Sequence, residues 1–303
     1  VALLRRPASV QRIDLAPLVG QLTNAADRLA GDGETPNWKM LGEAIEAAGF
    51  VDESLRGLNG AAALLAEPQQ SAELKLACER LDALADRIEA AEAEGLVPAD
   101  RVEAINAELI ALRDPSWAIA HDRLRAAEGI VELMGLDPTD GALAAGLSVH
   151  QALSALDRLE VRGRDSAGIQ LLVTGHGLDL ESPQVQALLD ERRYPFFGSG
   201  AVRTPEGALS FVYKAAAEIG ELGDNTRALR DALRADDLLR LAVSSDQAVA
   251  VVLGHTRWAS VGIISQPNAH PVDSASGELV QWCRMCSSNS ALALPSTSRP
   301  WAR

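Results

Sequence analysis

Apolar residues recur at helical spacing through the first half of the chain, over about residues 15–159. They stand three, four or seven positions apart, with acidic residues and Arg between them, as expected for amphipathic helices. Breaks near Pro98 and Pro115 predict two antiparallel helices followed by a third, packed as a hairpin or small bundle. A coiled coil that binds a partner chain is the alternative, although the heptads are short. The clearest stretches are Leu74, Cys78, Leu81, Leu84 and Ile88; Val102, Ile105, Leu109 and Leu112; and Leu124, Ala127, Val131 and Met134.

Short strands flank this helical region. Residues 1–4 form an apolar run that predicts a strand ended by Pro7. After about residue 149 the chain alternates, with strands predicted at 169–174, 209–213 and 248–253 and helices at 150–161, 183–192, 214–222 and 225–242. The strand at 248–253 is wholly apolar, so we expect it to be buried. Lys214, at a predicted strand-to-helix junction, is expected to face solvent.

The pattern divides the chain into four segments. Residues 1–14 hold the first strand, 15–148 a helical insertion, and 149–274 the mixed helices and strands. Residues 275–303 are rich in Ser, lack a period and contain two prolines, which predicts an irregular tail. We therefore predict an α+β protein with a large α-helical insertion.

Composition narrows the possible partners. Lys and Arg total 28 against 42 for Asp and Glu, a formal charge of −14. So acidic a chain repels phosphate backbones, and nucleic acid is a poor candidate. The sequence has no apolar run long enough to span a membrane and no secretion signal pattern. Three cysteines make no disulfide framework. We expect a cytoplasmic protein.

Three short segments are candidates for chemistry: Arg-Gly-Arg-Asp-Ser-Ala-Gly at 162–168, Gly-His-Thr-Arg-Trp-Ala-Ser at 254–260 and Asn-Ala-His-Pro at 268–271. The second follows a predicted strand, which places Arg257 at a sheet edge. An arginine there can hold a carboxylate through two parallel hydrogen bonds. The alternative is that Arg257 pairs with a structural carboxylate such as Asp165.

In this order the three segments resemble the class II glutamine amidotransferase domain of the glutamine–fructose-6-phosphate aminotransferases. Amidotransferases that use phosphoribosylpyrophosphate or form asparagine are less similar. The resemblance implies a four-layer α/β/β/α fold of the N-terminal-nucleophile type. It also implies that glutamine is hydrolysed to glutamate and that the ammonia passes to a sugar-phosphate isomerase domain, which this sequence lacks, to convert fructose 6-phosphate into glucosamine 6-phosphate. Neither cofactor nor metal is implied, and a homodimer is left open.

The resemblance also assigns residues. The nucleophile is an N-terminal Cys, expected just upstream of Val1, and its own α-amine, with a pKa near 7.7–8.0, is the base. Arg257 would hold the α-carboxylate of glutamine, and Trp258 would lie in the loop that closes over it. Thr256 and Ser260 would lie near the substrate. Supporting roles fall to Arg162, Asp165, Ser166, His255 and His270, of which Arg162 and Asp165 would organise the loop beneath the nucleophile. From its position before a proline, His270 is expected to fix its own loop by a hydrogen bond, and a role as a base is the alternative.

Three departures from the family pattern matter. No Cys lies near Val1, the family's Asn-Gly oxyanion segment does not follow residue 271, and Val261 replaces a histidine that is common in the family. The chain as it stands is therefore expected to bind glutamine weakly and not to hydrolyse it. The alternative function is a degenerate, non-catalytic amidotransferase-like module whose helical insertion serves assembly or regulation.

Overall fold

The computed structural model describes residues 1–7, 10–11, 13–31, 36–193, 198–216, 221–258, 263–273 and 280–281. Six helices form the first unit: α1 (Ala16–Ala30), α2 (Leu41–Ser54), α3 (Gly57–Ala66), α4 (Pro68–Ala93), α5 (Val102–Ala118) and α6 (Arg125–Met134). The apolar stripes of α1 to α5 meet in one core that buries Leu22, Leu74, Leu81, Ile88, Ile105 and Leu109, whereas Ala126 and Ile130 of α6 belong to a smaller cluster. The predicted stripes therefore pack within the chain.

The predicted break at Pro115 is wrong. Helix α5 continues through Pro115, and residues Ile119–Leu124 then wind as a π-helix that leads directly into α6. Proline removes one backbone donor and normally interrupts a helix. Here burial on both sides of it holds the helix together, because Leu112 and Ser116 are fully buried. The Ser116 hydroxyl also donates to the Asp82 carboxylate on α4 (3.0 Å).

Helix α7 (Asp140–Leu159) joins the helical unit to the sheet. It begins at Asp140, ten residues before the predicted start, so residues 148 and 149 lie inside a continuous helix. Thr139 caps it by accepting a hydrogen bond from the Ala142 N–H (3.2 Å). The helix is buried almost all round because α6 packs on one side and the sheet on the other.

The second unit is built on one antiparallel sheet of five strands: β1 (Ala2–Arg5), β2 (Ser166–Thr174), β3 (Val202–Arg203), β4 (Leu209–Ala215) and β5 (Val249–Arg257). Their order across the sheet is β1-β5-β2-β4-β3. The remaining helices are α8 (Pro183–Asp190), α9 (Asp224–Arg234) and α10 (Asp237–Val243), and they pack with α7 on one face of the sheet. Strands β6 (Val272–Asp273) and β7 (Val280–Gln281) form a separate pair.

This architecture confirms the predicted α+β class. A four-layer sandwich needs two sheets packed face to face, and the described residues contain the five-stranded sheet and the short β6–β7 pair. The four-layer arrangement therefore stays a proposal. No helix in the described part of the chain combines the length and the apolarity that crossing a membrane requires.

Two predicted helices need correction. The one at 214–222 is wrong in its described part, because β4 continues to Ala215 and a turn follows at 222–223. The one at 225–242 is divided into α9 and α10. The division occurs at Asp236, whose carboxylate accepts the Leu239 N–H (3.0 Å) and so starts a new helix. The short strand β3 was not predicted.

The strand predicted at 248–253 is present but longer, and it is not wholly buried. In β5 buried and half-buried residues alternate, because only one face of the sheet packs against helices. The opposite face carries Val251, Leu253, His255 and Arg257. This second face is where the candidate chemistry lies.

Candidate functional site

Two of the three segments singled out in the sequence meet beside the first residue of the chain. Val1 and Gly254 exchange both backbone hydrogen bonds, each 2.8 Å long. Three residues further along β5, the Arg257 carbonyl accepts the Asp165 N–H (3.2 Å). The ends of β1, β2 and β5 thus bring the segments 162–168 and 254–258 together.

The third segment lies directly on this end of the sheet. Gly168 makes this possible, because a Cβ at this position would lie well inside van der Waals contact with the His270 carbonyl oxygen. The same placement puts the His270 ring against the His255 ring, with centroids 4.6 Å apart and planes inclined at 51°. Segments separated by about a hundred positions in the sequence therefore form one site.

Basic side chains cluster on this face. Alternate residues of a strand share a face, so His255 and Arg257 lie together on β5. In the register of the sheet, Lys214 of β4 pairs with Gly168, and Gly168 pairs with His255, so the three form one row across the strands. Lys214 is only 4% exposed, and the expectation that it faces solvent is wrong.

The pKa values of both imidazoles of this site are lowered. The pKa of His255 is lowered to about 4, first by burial and then by the positive charges of His270, the amino terminus and Arg257. The pKa of His270 is lowered by burial and by Arg257 and Lys214. Burial is the largest cause of both shifts, and the charges that add to it are positive, which favours an anionic group as the ligand.

The stability of the protein is expected to depend on pH through His255. The unfolded chain binds a proton at His255 near pH 6.5, whereas the folded chain does so only near pH 4. The free energy of unfolding is therefore expected to fall as pH drops from 6.5 towards 5, because the unfolded state takes up more protons. Urea unfolding at several pH values measures this slope. The variant His255→Gln should show a shallower slope, and an unchanged slope would contradict the assignment.

Arg257 is the last residue of β5 and is half-buried. Its Nη1 donates to the Asn268 carbonyl (3.2 Å), and its strand neighbour on β2 is Ser166. The Ser166 hydroxyl is buried and has no hydrogen-bond partner among the residues that the structure describes. Such a buried hydroxyl, at the strand position opposite Arg257, is a polar group that a ligand can satisfy.

The other predicted site residues lie at different positions around Arg257. Asp165 contacts Arg257 through its backbone, and Arg162 is exposed in a short 3₁₀ turn. Thr256 lies on the opposite face of the sheet from Arg257 and packs against Gly163. Trp258 is 61% exposed. Ser260 lies outside the described residues, as does Val261.

Sequence reasoning missed Lys214 as a member of this cluster. A signal for it existed, because Phe211 and Tyr213 alternate with polar or smaller residues and continue the period-2 pattern of β4. Extending that pattern by two residues keeps Lys214 in the strand. No group of three or more His, Cys, Asp or Glu side chains in the described ranges is arranged to hold a metal ion.

Part of the chain is similar to known aminotransferases. It is 41% identical over 54 residues to the glutamine–fructose-6-phosphate aminotransferases (isomerizing) of Staphylococcus aureus strains Mu50 and N315. The match covers 18% of this chain and only 9% of the length of those relatives. No protein-family model matches the chain. No solved structure matches it. The similarity indicates an amidotransferase-related segment of an enzyme.

Proposed function

We propose that this chain carries the glutaminase portion of a glutamine-dependent sugar-phosphate aminotransferase. Glutamine would be hydrolysed to glutamate at the end of β5, and the ammonia passed to fructose 6-phosphate in an isomerase domain. The observation that supports this most is the meeting of the three segments around Arg257, beside the strand that begins the chain. The short similarity to the Staphylococcus aureus enzymes supports the same proposal.

The register of the sheet supports a position for the nucleophile opposite Arg257. Val1 pairs with Gly254 in an antiparallel ladder, so each residue added before Val1 would pair one position further along β5. In an added Cys-Gly-Ile the cysteine, third upstream of Val1, would stand opposite Arg257. By alternation its side chain would share the face of His255 and Arg257.

The chemistry fits that arrangement. The α-carboxylate of glutamine would bind Arg257 within the positive potential of the basic cluster. The cysteine thiol would give its proton to its own α-amine and attack the side-chain amide carbon. The C–N bond would then break, ammonia would leave with that proton, and water would hydrolyse the thioester to glutamate. The four-layer fold, the cytoplasmic location and the division at residues 1–14, 15–148, 149–274 and 275–303 belong to the same proposal.

The proposal is tested by adding Cys-Gly-Ile before Val1 and measuring covalent labelling of that cysteine by a glutamine analogue that bears an electrophilic diazoketone. Labelling is expected to be competed by glutamine. Arg257→Gln should slow it by about 10–100-fold, because a charge-assisted hydrogen bond contributes about 1.5–3 kcal/mol.

Two controls separate the outcomes. Arg240→Gln removes an exposed arginine on α10, which lies on the opposite face of the sheet, and should leave the labelling rate unchanged. Labelling that is equally fast in Arg257→Gln and in the unsubstituted chain would refute carboxylate binding at this site. Labelling without release of ammonia from glutamine would instead favour the non-catalytic module.

A further inference from the structure

A cavity lies away from the Arg257 site, where the helical unit meets the sheet unit. Its volume is about 580 Å³, and it is an open cleft lined mainly by α6, α7 and α9. Its walls include His150, Ser154, Arg125, Arg158, Arg227 and Arg230. None of the residues assigned to the proposed glutaminase site lines it. Its size falls in the range of small-molecule sites.

His150 is the buried polar group of this cavity. It is 9% exposed, and its Nε2 lies 3.4 Å from the Ser154 hydroxyl. Its Nδ1 has no hydrogen-bond partner within the described ranges. The ring packs so closely against Gly129 that a Cβ there would overlap Nδ1. An imidazole buried in this way is costly unless a partner completes its hydrogen bonds.

The charges around His150 are mainly positive. Burial lowers its pKa to about 4, and the next largest causes are the charges of Arg230 and Arg125, while Asp122 opposes them only weakly. Asp122 is itself paired with Arg158 at 3.0 Å.

The other acidic groups of the wall are also engaged or exposed. Glu132 is shared by Arg230 and Arg234, each 3.5 Å away. Asp157 accepts a hydrogen bond from the Thr226 hydroxyl (3.1 Å), and Glu128 is exposed. Arginines and carboxylates are equal in number on the wall as a whole, but next to His150 the charges of Arg230 and Arg125 outweigh that of Asp122, and this part of the cavity favours an anion.

We propose that this cavity binds a phosphate monoester, with the phosphate between Arg125 and Arg230 and beside His150. A phosphate there would accept hydrogen bonds from Arg125 and from Arg230, in competition with Glu132, and its remaining terminal oxygen can accept from the Ser154 hydroxyl. The cavity is much larger than a phosphate ion, which leaves room for the organic part of an ester. The π-helical residues His121 and Asp122 form part of the wall, and such helical widenings are frequent at functional sites.

Calorimetric titration of the 303-residue chain with glycerol 3-phosphate tests the proposal, with glycerol as the uncharged control. Saturable binding of the ester but not of glycerol is expected. Arg125→Gln and Arg230→Gln should each weaken binding at least about tenfold. Arg28→Gln, an exposed arginine paired with Glu43, should not change it. Arg257→Gln should also leave it intact, which distinguishes this cavity from the basic cluster on the sheet.

A measurement on the unsubstituted chain tests the proposal even if the variants fail to fold. The imidazole proton signals of His150, assigned by comparison with His150→Gln, should shift during the titration with the same midpoint as the calorimetry. The proposal is overturned if glycerol 3-phosphate does not bind, if the His150 signals do not move, or if binding is lost in Arg257→Gln and retained in both Arg125→Gln and Arg230→Gln.

Discussion

Replacing Asp236 with asparagine is expected to lower the free energy of unfolding by about 3–5 kcal/mol, the typical cost of removing one partner of a buried ion pair. The Asp236 side chain is 4% exposed and binds both Nη atoms of Arg192, at 2.7 and 2.6 Å. It also accepts the Tyr213 hydroxyl (2.5 Å) and the Leu239 N–H that starts α10. The substitution leaves the Arg192 charge without its counterion. Urea unfolding followed by circular dichroism measures the loss.

The neighbouring residue provides the control. Asp237 also pairs with an arginine, Arg240, but both side chains are largely exposed. Asp237→Asn is therefore expected to change the free energy of unfolding by less than about 1 kcal/mol, as is usual for surface ion pairs. Equal losses in the two variants would show that the Arg192–Asp236 pair contributes no more than a surface contact.

Gly168→Ala is expected to displace the segment over the sheet and to destabilise the protein by about 1–3 kcal/mol, as overpacking does in well-packed sites. The added Cβ would overlap the His270 carbonyl, a backbone atom that can move only with its whole segment. Limited proteolysis should then cleave within residues 263–271 faster than in the unsubstituted chain. The same variant should lose diazoketone labelling of the added cysteine, because Asn268 no longer orients Arg257.

Gly49→Ala is the matched control. Gly49 lies in the exposed part of α2, where nothing stands within 4 Å of an added Cβ. The substitution should stabilise the protein by about 0.5–1 kcal/mol, since alanine favours a helix interior more than glycine does. If Gly168→Ala behaved like Gly49→Ala, the close approach of the His270 segment to the sheet would be wrong.

Much of the architecture follows from local patterns. Leu74, Leu81 and Ile88 stand seven apart, and a helix must bury such a stripe, so α4 and its neighbours could be predicted. The continuity of α5 through Pro115 could not, because it depends on tertiary packing that outweighs the lost hydrogen bond. The division at Asp236 likewise depends on contacts with Arg192 and Tyr213, which are distant in sequence.

The candidate site was predictable only in part. The segments around Asp165, Arg257 and His270 carry residue types with recognisable chemistry, and the structure brings them together. Lys214 was missed because the strand was predicted to end at residue 213, which placed the lysine at a strand-to-helix junction. Its position against Gly168 becomes visible only when β4 and β2 are paired. The face of Thr256 was missed because the strand was predicted to end at residue 253, so the alternation of β5 was not carried on to residue 256.

The pairing of β1 with β5 has a consequence for how this protein folds. The hydrogen bond from Val1 to Gly254 joins positions 253 apart in the chain, whereas the helices of the first unit pack against one another across far fewer positions. During synthesis β1 leaves the ribosome long before its partner strand is made. Until β5 docks, the backbone N–H and C=O groups of β1 lack their partners in the sheet. Closing so long a loop is slow, so docking of β1 should be the late step of folding.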